Sequence, residues 1–134
     1  MDTTLRDGEQ TSGMSFSSSE KLTIAKLLLE ELNVDRIEIA SARVSDGEFT
    51  AVKNITNWAK ENDYLNKVEV LTFLDNGVSI NWLSKSGAKV QNLLTKGSFN
   101  HLKYQIRKTP KEHFNDVYNS VYEARKLNID TNVY

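Results

Sequence analysis

Leu22, Ala25, Leu28, Leu29 and Leu32 recur at intervals of three and four, the spacing of one face of an α-helix. Ser17 stands ahead of them with Glu20 three places on, the capping-box pair that starts a helix. The period then shortens. Val34, Ile37 and Ile39 in "NVDRIEIASA" read as a short strand. Glu48 to Asn62 is helical again, with Val52, Ile55, Trp58 and Ala59 on one face. "KVEVLTF" (Lys67 to Phe73) is strand-like, and Ile80 and Leu83 with the Lys85-Ser86-Gly87 stop predict a short helix. "AKVQNLLT" (Ala88 to Thr95) predicts another strand. Pro110 suits the first turn of a longer helix, with Phe114, Val117, Val121 and Ala124 along its apolar face. "NIDTNVY" (Asn128 to Tyr134) predicts a last strand, and Asp2 to Thr4 a first one.

Strand alternating with helix implies parallel pairing through right-handed crossovers, so the class is α/β. An open doubly wound sheet and a (β/α)8 TIM barrel both satisfy the pattern. No G-x-G-x-x-G follows the first strand, which counts against a dinucleotide fold. A barrel needs about 250 residues, and this chain has 134. The expectation is the N-terminal half of a barrel, about strands 1–5, in which residues 1–134 form one part of the catalytic domain. A first strand directly after Met1 and a last one stopping at Tyr134 motivate it, because a parallel sheet cut there has two open edges.

Composition narrows the functions. With 39% hydrophobic and 26% charged residues the chain is suited to one folded domain. A net charge of -1 gives a nucleic acid no electrostatic footprint, and Lys103, Arg107, Lys108 and Lys111 read as a solvated helix surface. The absence of cysteine excludes disulfides and thiolate zinc sites. No apolar run reaches the roughly 20 residues that span a bilayer, and the expected compartment is the cytoplasm.

The opening "MDTTLRDGEQTSGMSFSSSEK" carries more polar chemistry than a turn requires. Active sites of parallel barrels lie where strands end and loops begin, which is where Arg6, Asp7, Glu9 and Gln10 fall. Asp7 is a hard oxygen donor for a divalent cation. Arg6 can clamp a carboxylate or stabilise an enolate oxygen. Gln10 can orient a substrate without adding charge. Spacing alone also allows a solvated turn with a surface Arg–Asp pair.

The stretch "LRDGEQTSGMSFSSSEK" resembles the signature of the 2-isopropylmalate, homocitrate and citramalate synthase family, with Leu5, Arg6, Asp7, Gly8, Gln10 and Lys21 in place. "NVDRIEIASARVSDGE", "GAKVQNLLTKGS", "KTPKEHF" and "NVY" look most like its (R)-citramalate synthase branch. The resemblance implies a metal-dependent TIM barrel that joins acetyl-CoA to a 2-oxo acid in a Claisen-type condensation, in branched-chain amino-acid biosynthesis. It implies that Arg6, Gln10 and Glu38 serve catalysis and that Asp7 ligates a divalent metal ion (Mg, Mn or Zn). It implies that Arg6, Leu71, Leu94 and Tyr134 bind the 2-oxo acid. Leucines at 71 and 94 would leave a small apolar pocket, which favours pyruvate over 2-oxoisovalerate or a dicarboxylate. As ordinary strand residues, both also read simply as core. The other metal ligands, a His-x-His pair, the C-terminal half and a regulatory domain are implied to lie outside this sequence, and the full-length protein to be a homodimer. Its partners are implied to be small molecules, with no nucleic acid and no membrane. The fragment alone is expected to be inactive. A related lyase and a non-catalytic half-barrel interaction module are the alternatives.

The remaining candidates are weaker. His101 and His113 have no ligand spacing, and His113 reads as a surface residue. Lys96 falls on a loop of the active-site side, as do Arg43 and Ser45, which would meet CoA or the keto acid. Trp58 and Trp82 sit in helical patterns and read as packing residues.

Overall fold

The structure, a computed structural model, describes residues 1–134. Its first helix, α1 (Ser18–Lys26), begins at the capping box: Ser17 accepts from the Glu20 N–H, and Glu20 reaches back to the Ser17 N–H. The helix runs on into a π-type turn over Leu27–Glu31. That turn adds a residue per revolution and rotates Leu32 off the apolar stripe. Leu32 is therefore exposed, against expectation, while Ala25, Leu28 and Leu29 are buried.

Next come β1 (Ile37–Ser41), α2 (Asp46–Glu61), β2 (Val68–Phe73), α3 (Val78–Ser86), β3 (Val90–Leu94), α4 (Pro110–Lys126) and β4 (Asp130–Val133). The four strands pair in parallel in the order β1-β2-β3-β4. The predicted first strand, Asp2 to Thr4, is reduced to a single parallel bridge between Asp2 and Ile37. The Asp2 carboxylate accepts the Thr4 N–H and hydroxyl, and the Thr3 carbonyl accepts the N–H groups of Arg6, Asp7 and Gly8. The backbone is turning by Thr4, so the pairing stops there.

Sequential order with right-handed crossovers places every helix on one side of the sheet. That side holds the core: Ile37, Ile39, Val68 and Val70 pack against Ala25, Leu29, Val52, Ile55, Ile80, Leu83 and Ala124. A buried chain of side-chain hydrogen bonds runs through it, from Thr72 to Gln91 and from Gln91 to Thr131.

The phase of α4 differs from the prediction. His113 is 3% exposed and Phe114 is 69% exposed. At 100° per residue, His113, Val117, Ser120 and Ala124 centre on one line and Phe114 lies well off it. His113 is thus a buried residue facing the sheet, not a surface one. Trp58 stacks on Tyr64 and Trp82 meets Phe49 edge to face, as packing residues do.

Candidate active site

The helix-free side of the sheet is polar. Side chains at paired positions of parallel strands share a face, and the pairs Glu38↔Glu69, Leu71↔Asn92 and Asn92↔Asn132 put these residues together. Glu38, Glu69 and Asn92 are all buried. The Arg6 Nε donates to Glu38 Oε2, and its Nη1 donates to Asp7 Oδ1 at 2.6 Å. Asn92 donates to Glu38 Oε1 at 2.7 Å, and Asn132 donates to Asn92 Oδ1 at 3.0 Å. A continuous relay therefore runs Asp7, Arg6, Glu38, Asn92, Asn132. Beside it, Arg36 donates to Glu69 Oε1 at 3.1 Å, and Glu69 Oε2 is buried without a partner.

The loop that carries Arg6 is anchored by Lys21. This residue is 1% exposed, and its ammonium pairs with Glu9 and Glu48, each at 2.5 Å. Glu9 also accepts the Phe16 N–H at 2.9 Å. A lysine is buried only when its charge is matched, and here two carboxylates match it. Gln10 is exposed but lines a cleft of about 310 Å³ with Leu5, Arg6, Ser41, Val44 and Ser45.

Tyr134 donates its hydroxyl to the Met1 sulfur at 3.3 Å, and Asn92 approaches the same sulfur at 3.8 Å. Burial pushes the Tyr134 phenol up, and the charges of Glu69 and Glu38 push it further, against the opposing pull of Arg36 and Arg6. It therefore stays protonated and remains a hydrogen-bond donor. Leu71 is buried, whereas Leu94, at the last position of β3, is 37% exposed. Both share the polar side of the sheet with Asn92, two positions apart in register.

Arg6, Asp7 and Glu38 are thus in direct contact, Tyr134 is within reach of their charges, and Gln10 lies on the adjoining cleft. Asn92 was missed from the sequence. Its signal was a polar pair, Gln91-Asn92, inside an apolar strand. Lys21 was seen only as part of a motif, and its two carboxylate partners were not identified.

A divalent cation takes about four ligands if it is zinc and about six if it is magnesium. Asp7 offers one carboxylate, 60% exposed, and the chain gathers no group of three or more candidate ligand residues. Asp7 fits as one ligand of a metal site and does not make one alone. No helix is long and apolar enough to cross a membrane.

A family model described as HMGL-like matches residues 1–134. The (R)-citramalate synthase of Methanocaldococcus jannaschii is 38% identical over 125 residues, covering 93% of this chain and 24% of that protein. The 2-isopropylmalate synthase of Sulfolobus acidocaldarius is also 38% identical, over 126 residues, covering 92% of this chain and 31% of that protein. The chain spans about a quarter to a third of the length of these relatives. Among solved structures, the HMG-CoA lyase of Bacillus subtilis superposes with a TM-score of 0.64 at 20% identity, covering 99% of this chain and 44% of that one. That likeness carries the fold: a parallel sheet in sequential order with its helices on one side is the N-terminal half of a (β/α)8 barrel.

Proposed function

The chain belongs to the HMGL-like family, and from that premise we propose that it contributes the first half of a site condensing acetyl-CoA with a 2-oxo acid. The observation that carries this reading is Arg6, fixed between Asp7 and the buried Glu38 where the opening loop meets the polar side of the sheet.

In this reading the Arg6 guanidinium meets the keto acid and stabilises the charge that develops on its oxygen. Its Nε is held by Glu38 and its Nη1 by Asp7, so the plane of the fork is set before a ligand arrives. Asn92 fixes Glu38 in turn. Tyr134 presents a neutral hydroxyl, and Gln10 orients the substrate from the cleft. Asp7 would hold one position of a divalent cation, which would supply Lewis-acid polarisation there. In the overall reaction the acetyl methyl loses a proton and its carbon bonds to the keto carbon. The keto oxygen ends as a hydroxyl, and water cleaves the thioester to release CoA.

Leu71 and Leu94 support pyruvate as the keto acid, because they leave room for a methyl and offer no partner to a second carboxylate. Equal identity to a citramalate synthase and a 2-isopropylmalate synthase does not separate the two substrates. The test is thiol release from acetyl-CoA by the complete gene product, assayed with pyruvate, 2-oxoisovalerate and 2-oxoglutarate. Pyruvate is expected to turn over fastest, and Arg6→Ala to lower kcat by about 10²–10³-fold, the scale of a lost oxyanion donor. Faster turnover of 2-oxoisovalerate would overturn the pyruvate assignment, and full activity of Arg6→Ala would overturn the site.

A further inference from the structure

The loop that follows β2 reads Asp75-Asn76-Gly77-Val78, and it holds the only Asn-Gly pair in the chain. Asn76 has φ 56° and Gly77 φ 83°, both left-handed, and the Val78 N–H donates to the Asp75 carbonyl at 3.4 Å. This is the type I′ turn that Asn-Gly favours. Asn76 is exposed, and neither its amide nor the Gly77 N–H has a hydrogen-bond partner in the chain. A Cβ built at Gly77 would meet nothing within 4 Å, so no side chain shields that nitrogen.

The two Asp-Gly pairs differ in chemistry or in setting. Gly8, after Asp7, donates its N–H to the Thr3 carbonyl at 3.2 Å, and Asp7 is held by Arg6 at 2.6 Å. Gly47, after Asp46, lies in the first turn of α2. Both aspartates carry carboxylates, which are poorer acyl groups than an amide.

We propose that Asn76 is a site of spontaneous deamidation, and that the change unfastens the contact between the loops that follow β1 and β2. The Gly77 nitrogen gives up its proton to hydroxide and attacks Asn76 Cγ. The bond from Cγ to the side-chain nitrogen breaks, ammonia leaves, and a cyclic succinimide remains. Water then opens the ring. Breaking the new bond at Cγ leaves aspartate. Breaking the bond between the Asn76 main-chain carbonyl and the same nitrogen leaves isoaspartate, whose chain runs on through Cβ and Cγ. In sum an amide and a water become a carboxylate and ammonium, with no change of oxidation state. Ring closure turns Asn76 out of the left-handed region, and the long Val78–Asp75 bond resists that weakly.

The consequence falls on Asp75. Its Oδ1 accepts the Ser79 N–H at 3.0 Å, and its Oδ2 accepts the Ser79 hydroxyl and Arg43 Nη1, each at 2.6 Å. Asn76 and Gly77 lie inside this bracket from Asp75 to Ser79. An isoaspartyl link adds one carbon to the main chain there, and either product adds a carboxylate that competes with Asp75 for Arg43. None of these groups belongs to the Arg6 site.

The test ages the purified chain at mildly alkaline pH and maps its peptides by mass spectrometry, with an isoaspartyl methyltransferase and a labelled methyl donor marking isoaspartate. Label is expected first in the peptide that holds Asn76, at a rate that rises with hydroxide concentration. Asn33 and Asn128 are the controls, since both are exposed and left-handed but precede Val34 and Ile129. Conversion of Asn76 no faster than theirs would overturn the site. Asn76→Gly keeps the left-handed backbone and removes the reacting amide. On ageing it is expected to hold its Tm while the wild type loses Tm, and trypsin is expected to cut faster after Arg43 in the aged wild type alone. Conversion at Asn76 with Tm and Arg43 cleavage unchanged, or equal losses in Asn76→Gly, would overturn the unfastening.

Discussion

Asn92 donates to one oxygen of Glu38 while Arg6 holds the other, so both oxygens of a buried carboxylate are committed. Asn92→Ala strands one of them. The expected cost is about 1–3 kcal/mol in urea denaturation, the scale of an unsatisfied buried acceptor, and an unchanged midpoint would refute the relay. Lys21→Met goes further, because it leaves Glu9 and Glu48 facing each other without their cation. Breaking a buried pair this way costs about 3–5 kcal/mol, and a loss below about 1 kcal/mol would class the contact with surface pairs. Asp75 gives a pH signature. Burial pushes its carboxyl up, but hydrogen bonds from the Ser79 hydroxyl and N–H, joined by Arg43, outweigh that and hold it below its ordinary value. A depressed carboxylate stabilises the fold above its unfolded pKa, about 3.9, and loses that contribution as pH falls through the lower folded value. The Tm gap between wild type and Asp75→Asn is therefore expected to be constant near neutral pH and to shrink only below about pH 4. A gap that widens on acidification would contradict this.

At the level of elements, legibility followed how local the determining contacts were. The Ser17–Glu20 box marked α1 to the residue, because both partners lie within four positions. The same box recurs at Thr109 and Glu112, where Pro110 had already announced α4. Thr109→Ala is expected to cost about 0.5–2 kcal/mol, read as a fall in Tm and in helical circular dichroism. Phase was less legible than position. Phe114 is the more apolar choice, yet His113 is the one on the buried line of α4. Leu32 was lost to a π-type turn that no local pattern announces. Asp2 to Thr4 has strand composition, but the Asp2 carboxylate closes a turn on Thr4 first. Asn92 was illegible for a different reason: the group that explains it, Glu38, lies 54 residues away.

Across the whole molecule, alternation of strand and helix made the α/β class readable, and the sequential strand order then places all the helices on one side of the sheet. The motif placed Arg6 and Asp7 at the rim, and the resemblance added Glu38. What the sequence left out is the relay joining them, since that depends on the register of three strands. One expectation belongs to this scale. With no group of three or more candidate metal-ligating residues and about a quarter to a third of the length of its relatives, the 134-residue chain is expected to release no thiol from acetyl-CoA in the presence of pyruvate. Measurable citramalate from the purified chain would show that these residues suffice.

Lys21 has a kinetic corollary. The rim segment is fastened through Glu9 to Lys21 of α1, which is fastened in turn to Glu48 of α2, so it cannot swing aside without breaking the Glu9 contact or dragging a helix along, and this segment is not expected to gate Arg6. Ligand capture there should be a single bimolecular event. Its observed rate should climb linearly with concentration and show no plateau, which is how a door waiting to open would betray itself.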